Sequence, residues 1–378
     1  MKLMHLSDLH LGKRVNGFSM IEDQRFVLEQ ILEMACRERP DGALLCGDIY
    51  DKTVPSAEAV ELFDWFLSRL AQCCPVYIIS GNHDSAERLA FGGRLLEKAR
   101  VYLSPVYDGT LRTAGLNDEF GTVQLHLLPF LKPSQVRRFY PEENIESYTD
   151  AVRAALSGID LGDGNRHVLL AHQLVTGSER CESEELSIGG SDNVDAEVFA
   201  GFDYVALGHL HGPQRAGGDH IRYCGTPLKY SFSEADHRKS VTFAELGQKG
   251  SLEITTRPLK PLRDLKQLKG TYGDLMARSF YHGTDLPESY LHITLTDEED
   301  VPEALSRLRT VYPHIMKLSY DNTRTRLRQN PLESGEERTE SPLELFGLLY
   351  EKQSNRPLGP EQQEFLTELI ESIWEDGT

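Results

Sequence analysis

Seven side chains able to ligate a metal occur in a fixed order along the first 211 residues: Asp8 and His10, Asp48, Asn82, His172, then His209 and His211. Most follow a short apolar run, at residues 2–6, 43–46, 76–79, 168–171 and 204–207. Nitrogen and oxygen ligands in this number, with no cysteine among them, exceed one tetrahedral zinc. They suit two five- or six-coordinate ions sharing a bridging carboxylate. Asp48, alone on the central run, is the expected bridge. Two ions held roughly 3.5–4 Å apart can activate a water and hold both the attacking and the leaving oxygen of an in-line phosphoryl displacement. The chemistry implied is phosphoester hydrolysis. Mixed carboxylate, amide and imidazole ligands favour Mn²⁺, with Mg²⁺, Fe or Zn admissible. His83 directly follows Asn82, so the backbone turns it away from the ions and toward a substrate. There it would stabilise developing charge or protonate the leaving oxygen. Asp84 is expected to hold its other ring nitrogen. Arg14, just beyond the Asp8–His10 loop, is the basic residue expected to meet a phosphate.

An isolated Asp-x-His or Gly-Asp pair occurs by chance in many chains; five clusters in order, each closing an apolar run, are what carry the reading. The apolar runs read as strands, and in open α/β sheets ligands bind beyond the carboxyl ends of the strands. On a strand, alternate side chains share a face, which predicts that Asp8 and His10 grip one ion together. Gly47 lets the backbone turn sharply before Asp48. The remaining histidines, His5, His126, His167, His220, His237, His282, His292 and His314, lack partners at ligand spacing and read as structural or solvated.

Residues 1–258 alternate strand and helix signals. Helices are predicted over 21–37, with Phe26, Ile31 and Leu32 inward, and over 56–70 behind a Ser56 cap. The fold class is α/β (α+β): two stacked sheets flanked by helices, with the site at the strand ends. Pro258 and Pro261 mark the exit to a small α+β unit, 259–320, with strands at 290–295 and 315–318 and a helix at 301–310. A polar linker, 321–340, leads to two apolar-faced helical stretches in 341–378 that cannot easily bury both faces alone.

The 378 residues carry a formal charge of −19, at odds with phosphate binding by Lys and Arg, so a nucleic-acid substrate would need a partner's grip. Part of the acidity lies late in the chain, in 297–300, 333–340 and the final stretch. Six cysteines without a Cys-x-x-Cys pair read as reduced thiols. The first strand begins at once and no apolar run approaches the length of a membrane span, so a cytoplasmic protein with no membrane partner is expected.

Asp8-Leu9-His10, Gly47-Asp48-Ile49-Tyr50-Asp51, Gly81-Asn82-His83-Asp84, His172 and Gly208-His209-Leu210-His211 resemble the calcineurin-like metallophosphoesterases. Three further stretches are similar to the SbcD family of bacterial nuclease subunits: Met1 to Gly12, Gly47 to Pro55 with Ser56-Ala57-Glu58-Ala59, and Gly225-Thr226-Pro227-Leu228-Lys229-Tyr230-Ser231-Phe232-Ser233-Glu234. The resemblance implies a four-layer sandwich with the seven ligands above and His83 as catalytic histidine. It further implies a 3'–5' exonuclease on duplex ends and an endonuclease on hairpins and single strands. As partner it implies an SbcC-type ABC ATPase docked on the C-terminal helices, with homodimerisation giving a two-and-two assembly. Unit 259–320 would cap the site. Relatives from archaea and eukaryotes carry a second catalytic histidine where Asp51 stands here, so no such role passes to Asp51. A protein phosphatase would show Gly-Asp-x-x-Asp-Arg-Gly and Gly-Asn-His-Glu, which this chain lacks. A small-molecule or cyclic-nucleotide phosphodiesterase fits the metal motifs but leaves the later segments without purpose. A catalytically dead adaptor would have no need of every ligand and His83.

Overall fold

The computed structural model describes residues 1–181, 184, 192–323, 325, 343, 346–347, 350, 358–359, 362–363, 365–367 and 369. The expected linker, 321–340, and the stretch expected to dock a partner, 341–378, lie largely outside the described residues. Two compact units divide the chain, residues 1–320 and 321–378.

The first unit is built on two six-stranded sheets. One contains β1 (Lys2–Leu6), β2 (Gly42–Cys46), β3 (Val76–Ile79) and β4 (Val101–Ser104), paired parallel in that order. The other contains β5 (Arg112–Asp118), β6 (Gly121–Leu127), β7 (Arg166–His172), β8 (Tyr204–Gly208), β9 (Gln214–Arg215) and β10 (Ile221–Tyr223), in the order β9-β10-β8-β7-β6-β5. The chain then returns to the first sheet, where β11 (Ser240–Leu246) pairs antiparallel with β1 and β12 (Leu252–Pro258) forms the edge.

Layering follows from strand alternation. Leu3, Leu44, Tyr77 and Ile79 meet Val123, Leu125, Val168, Leu170 and Tyr204 between the sheets. The opposite faces are equally apolar, as strands buried on both sides require. Met4, Leu45 and Ile78 lie under α1 (Ile21–Glu38) and α2 (Ala57–Cys73), and Leu169, Val205 and Leu207 lie under α3 (Tyr148–Leu156). The order is helix, sheet, sheet, helix. Ser56 caps α2 through its side-chain oxygen on the Ala59 N–H at 3.3 Å. Beyond Pro258, β13 (Leu265–Gly270), β14 (Tyr290–Leu295) and β15 (Ile315–Tyr320) make an all-parallel three-stranded sheet over its own core. The helix expected over 301–310 is shorter, Ala304–Leu308.

Three expectations need correction. Asp8 and His10 do not ride on a strand: β1 stops at Leu6, and both residues adopt positive φ, 52° and 43°. Phe26 on α1 is exposed; the buried stripe is Asp23, Gln24, Val27, Leu28, Ile31, Leu32 and Ala35. The six cysteines are not all free. α1 and α2 lie side by side, bringing the Cα atoms of Cys36 and Cys73 to 5.3 Å, and these two are joined as a disulfide. Adjacent helices set that pairing, which residue spacing does not reveal.

Candidate metal centre

The loops after β1 and β2 extend the parallel pairing of their strands. Asp8 N–H donates to the Gly47 carbonyl (3.0 Å), His10 N–H to that of Asp48 (3.0 Å) and Leu11 N–H to that of Ile49 (2.9 Å). This ladder places Asp8, His10 and Asp48 at one rim. From the second sheet, β7 ends at His172 in register with Gly208, and the His209 N–H donates to both carboxylate oxygens of Asp8 (3.0 and 3.2 Å). Asn82, in the loop after β3, brings its amide oxygen to 3.0 Å from His172 Nε2 and from His209 Nδ1. His10 Nε2 lies 3.1 Å from His211 Nε2. All seven expected ligands therefore meet at the common end of the two sheets.

Their backbone is held in an unusual state. Asp8, His10, Asp48 (φ 49°) and His209 (φ 107°) all have positive φ, which costs of order 1–3 kcal/mol for a non-glycine residue and clusters at functional sites. At Gly47 (φ 84°) a Cβ would strike the His172 ring, which is why glycine precedes Asp48.

Asp48 is common to two groups of converging ligand atoms, His10–Asp48–His83 and Asp8–Asp48–His172. Its Oδ2 lies 3.7 Å from His10 Nε2, 3.4 Å from His172 Nε2 and 4.0 Å from His83 Nε2. The electrostatics describe a set in need of positive charge. Burial, with the neighbouring Asp48 charge adding to it, lifts Asp8 and Asp84 to about 6. Burial also works against ionised Asp48, yet His172 and the other imidazoles hold it below the carboxylate range. His172 rises to about 9 in spite of burial, through Asp48 and Asp8, and burial lowers His209 to about 3.

The donor set fits divalent cations. His172 Nδ1 donates to the Cys46 carbonyl (2.8 Å), leaving Nε2 for an ion. The His10 and His211 Nε2 atoms, 3.1 Å apart, are close enough to serve one cation together. His10 Nδ1 is buried without a hydrogen-bond partner.

His83 lies beside this group on the more open side, its ring half-buried and 4.9 Å from that of His10. Its N–H donates to Asp48 Oδ1 (2.9 Å), and its Nδ1 is 3.0 Å from the Asp51 carbonyl oxygen. The expected pairing with Asp84 is not made: that carboxylate instead accepts the N–H groups of Ile49, Tyr50 and Gly81 at 2.9–3.2 Å, tying two ligand loops together. Arg14 is exposed in a short hairpin and donates to the Gly17 carbonyl. Its neighbour Lys13, the other half of that basic pair, binds Asp51 at 2.7 Å.

Gln24 was also missed. Its side chain donates to the Leu9 and His10 carbonyls (3.3 and 2.7 Å) and to Tyr230 Oη, and accepts from Gly12 N–H. A polar residue within the apolar stripe of α1 was the available signal. Next to it, buried Asp23 accepts from Tyr290 Oη of β14 at 2.8 Å.

Fold and site define a metal-dependent phosphoesterase: the calcineurin-like phosphoesterase profile matches residues 1–213, over half the chain. A second profile, described as the type 5 capsule protein repressor C-terminal domain, matches residues 261–354. The SbcD component of the SbcCD nuclease from Staphylococcus epidermidis is 34% identical over 326 residues, 84% of this chain and 85% of that protein. The chain belongs to the calcineurin-like phosphoesterases and, within them, to the SbcD nuclease family. It is accordingly a metal-dependent phosphodiesterase of the nuclease class. Two solved structures are also similar. A dimetal phosphatase from Danio rerio has a TM-score of 0.40 at 13% identity, over 68% of this chain and 96% of that one. The protein TT1561 of Thermus thermophilus has a TM-score of 0.39 at 14% identity, over 68% and 98%. Among the described residues no helix is long and apolar enough to cross a membrane.

Proposed function

We propose that the chain is a Mn²⁺-dependent DNA nuclease, a 3'–5' exonuclease on duplex ends and an endonuclease on hairpins and single strands. It would act with an SbcC-type ABC ATPase in DNA repair, recombination and replication-associated hairpin processing. The observation that carries this reading is the sharing of Asp48 between two converging ligand groups, with the half-buried His83 ring alongside. Asp8, His10, Asp48 and His211 would hold one ion and Asp48, Asn82, His172 and His209 the other. Bound there, the ions supply an activated water and neutralise the charge of a phosphodiester. Protonated His83 would donate from Nδ1 to the Asp51 carbonyl, which leaves the Nε2 proton for the leaving oxygen. Arg14 would contact a backbone phosphate. Residues 1–258 would form the nuclease body and 259–320 the cap. Residues 321–340 would be a linker to 341–378, the surface for the ATPase. The net charge of −19 agrees with a DNA grip supplied mainly by that partner. Homodimerisation would yield a two-and-two heterotetramer in the cytoplasm.

The test is Mn²⁺-dependent digestion of labelled duplex, hairpin and single-stranded DNA, with bis-p-nitrophenyl phosphate in parallel, with and without the ATPase. The His83→Ala variant should lose cleavage by about 10²–10⁴-fold, the usual size of an acid–base contribution, and still bind Mn²⁺. Full activity in that variant refutes the assignment. Cleavage of the small ester with no DNA cleavage under any condition would favour a small-molecule phosphodiesterase.

A further inference from the structure

The segment Gly225–Glu234 stood out in the sequence but holds none of the seven ligands or His83. In the fold it wraps the rim of the metal centre. Glu234 is fully buried, and its Oε1 lies 3.4 Å from His211 Nδ1 and accepts the Tyr230 N–H at 3.2 Å. Its Oε2 receives the buried ammonium of Lys239 at 2.6 Å. That ammonium also donates to the His211 carbonyl (2.9 Å) and to Thr226 Oγ1 (2.7 Å). Tyr230 Oη reaches across to the Leu9 carbonyl at 2.6 Å, between the ligands Asp8 and His10.

We infer that Glu234, neutralised by Lys239, is a positioning residue that fixes the tautomer and tilt of His211. A carboxylate can only accept, so His211 must present its Nδ1 proton to Glu234, and the Nε2 lone pair is left facing the His10 ring. Such outer carboxylates typically change metal affinity by about 10–100-fold when removed. A buried ion pair is weak evidence for stability in itself, whereas this one contacts His211, Thr226 and Tyr230. The same segment, through Tyr230, steadies the loop of Asp8 and His10. It would therefore serve one of the two ions, the one held with His211, and leave the His172–His209–Asn82 side untouched.

The inference rests on the two-metal reading above. Its test is a titration of the purified chain with Mn²⁺, following free ion by electron paramagnetic resonance, with melting temperature measured alongside. The double variant Glu234→Gln/Lys239→Met removes both charges at similar shape, so no lone ion is left buried. One of two Mn²⁺ affinities should weaken 10–100-fold while the other stays within about threefold, and cleavage should return when Mn²⁺ is raised by the same factor. Two unchanged affinities, or two weakened alike, overturn the inference. Should the double variant not fold, Glu234→Gln alone is read in the same titration: selective weakening of one site supports the role, and none refutes it. A parent chain that binds fewer than two Mn²⁺ overturns the proposed function itself, whereas an unchanged variant beside a two-site parent overturns only the role of Glu234.

Discussion

Away from the metal centre, two imidazoles on neighbouring strands form a hydrogen-bonded chain whose acid response can be worked out. His126 on β6 and His167 on β7 are buried and stacked, with His126 Nε2 3.0 Å from His167 Nδ1. His167 Nε2 lies 3.0 Å from Asp163 Oδ1, and Thr113 Oγ1 lies 3.2 Å from His126 Nδ1. The Asp163 carboxylate accepts from His167 Nε2, so in the neutral pair His167 Nδ1 accepts from His126 Nε2, and His126 Nδ1 faces the threonine hydroxyl. A further proton on His126 is opposed first by burial and then by His167, which lowers its pKa from 6.5 to about 4. The folded state thus holds that proton less tightly than the unfolded chain. Stability from this source is fully present above pH 6.5, and is lost as pH falls toward 4 because the unfolded state binds more protons there. The full difference is roughly 3 kcal/mol, and about 2 kcal/mol of it is gone by pH 5. Urea unfolding of the parent and of His126→Gln at pH 7.5, 6 and 5 isolates the effect, since other titrating carboxylates act on both proteins. The parent should lose about 2 kcal/mol more than the variant between pH 7.5 and 5. Equal losses would refute the reasoning.

Two further outcomes follow from packing. At Gly208 a Cβ would collide with the Cys46 carbonyl and lie 2.7 Å from His172 Nδ1, so Gly208→Ala should cost roughly 1–3 kcal/mol and weaken Mn²⁺ binding. Urea midpoint and Mn²⁺ titration check both, and parental values in both would contradict the geometry. Arg166, 2% exposed, donates to Asp118 and to the Leu246, Gly247 and Gly121 carbonyls. Arg166→Met should destabilise by roughly 1–3 kcal/mol because the Leu246, Gly247 and Gly121 carbonyls lose their donor while Asp118 keeps the Met1 ammonium at 2.8 Å, measurable as a fall in urea midpoint with Mn²⁺ affinity retained.

Much of this architecture is legible in the chain because strands buried on both faces write themselves as continuous apolar runs: β2 and β8 could be read directly. The residues that converge at the candidate metal centre were legible for a related reason, as polar residues terminating such runs. Their backbone was not. Asp8 and His10 look like alternating strand positions, and the left-handed turn they occupy goes with pairing to the loop after β2, a contact between residues 38 and 39 positions apart. Glu234 reaches His211, 23 positions away, and Gln24 reaches the loop of Leu9 to Gly12, 12 or more positions away, and the Cys36–Cys73 bond depends on how two helices settle on one sheet. Asp84 illustrates the limit of adjacency: next to His83 in sequence, it turns to three amides of other turns.

The Asp8–Gly47 and His10–Asp48 backbone pairs are made by peptide groups, at the ends of sheets whose cores are filled by apolar side chains. The cradle is thus scaffolded by main chain, and its side chains stand as fittings on a finished frame. On such a frame cations would be tenants, unlike the keystone zinc of a small finger domain, and the expected sign is a fold that survives chelation and reloading.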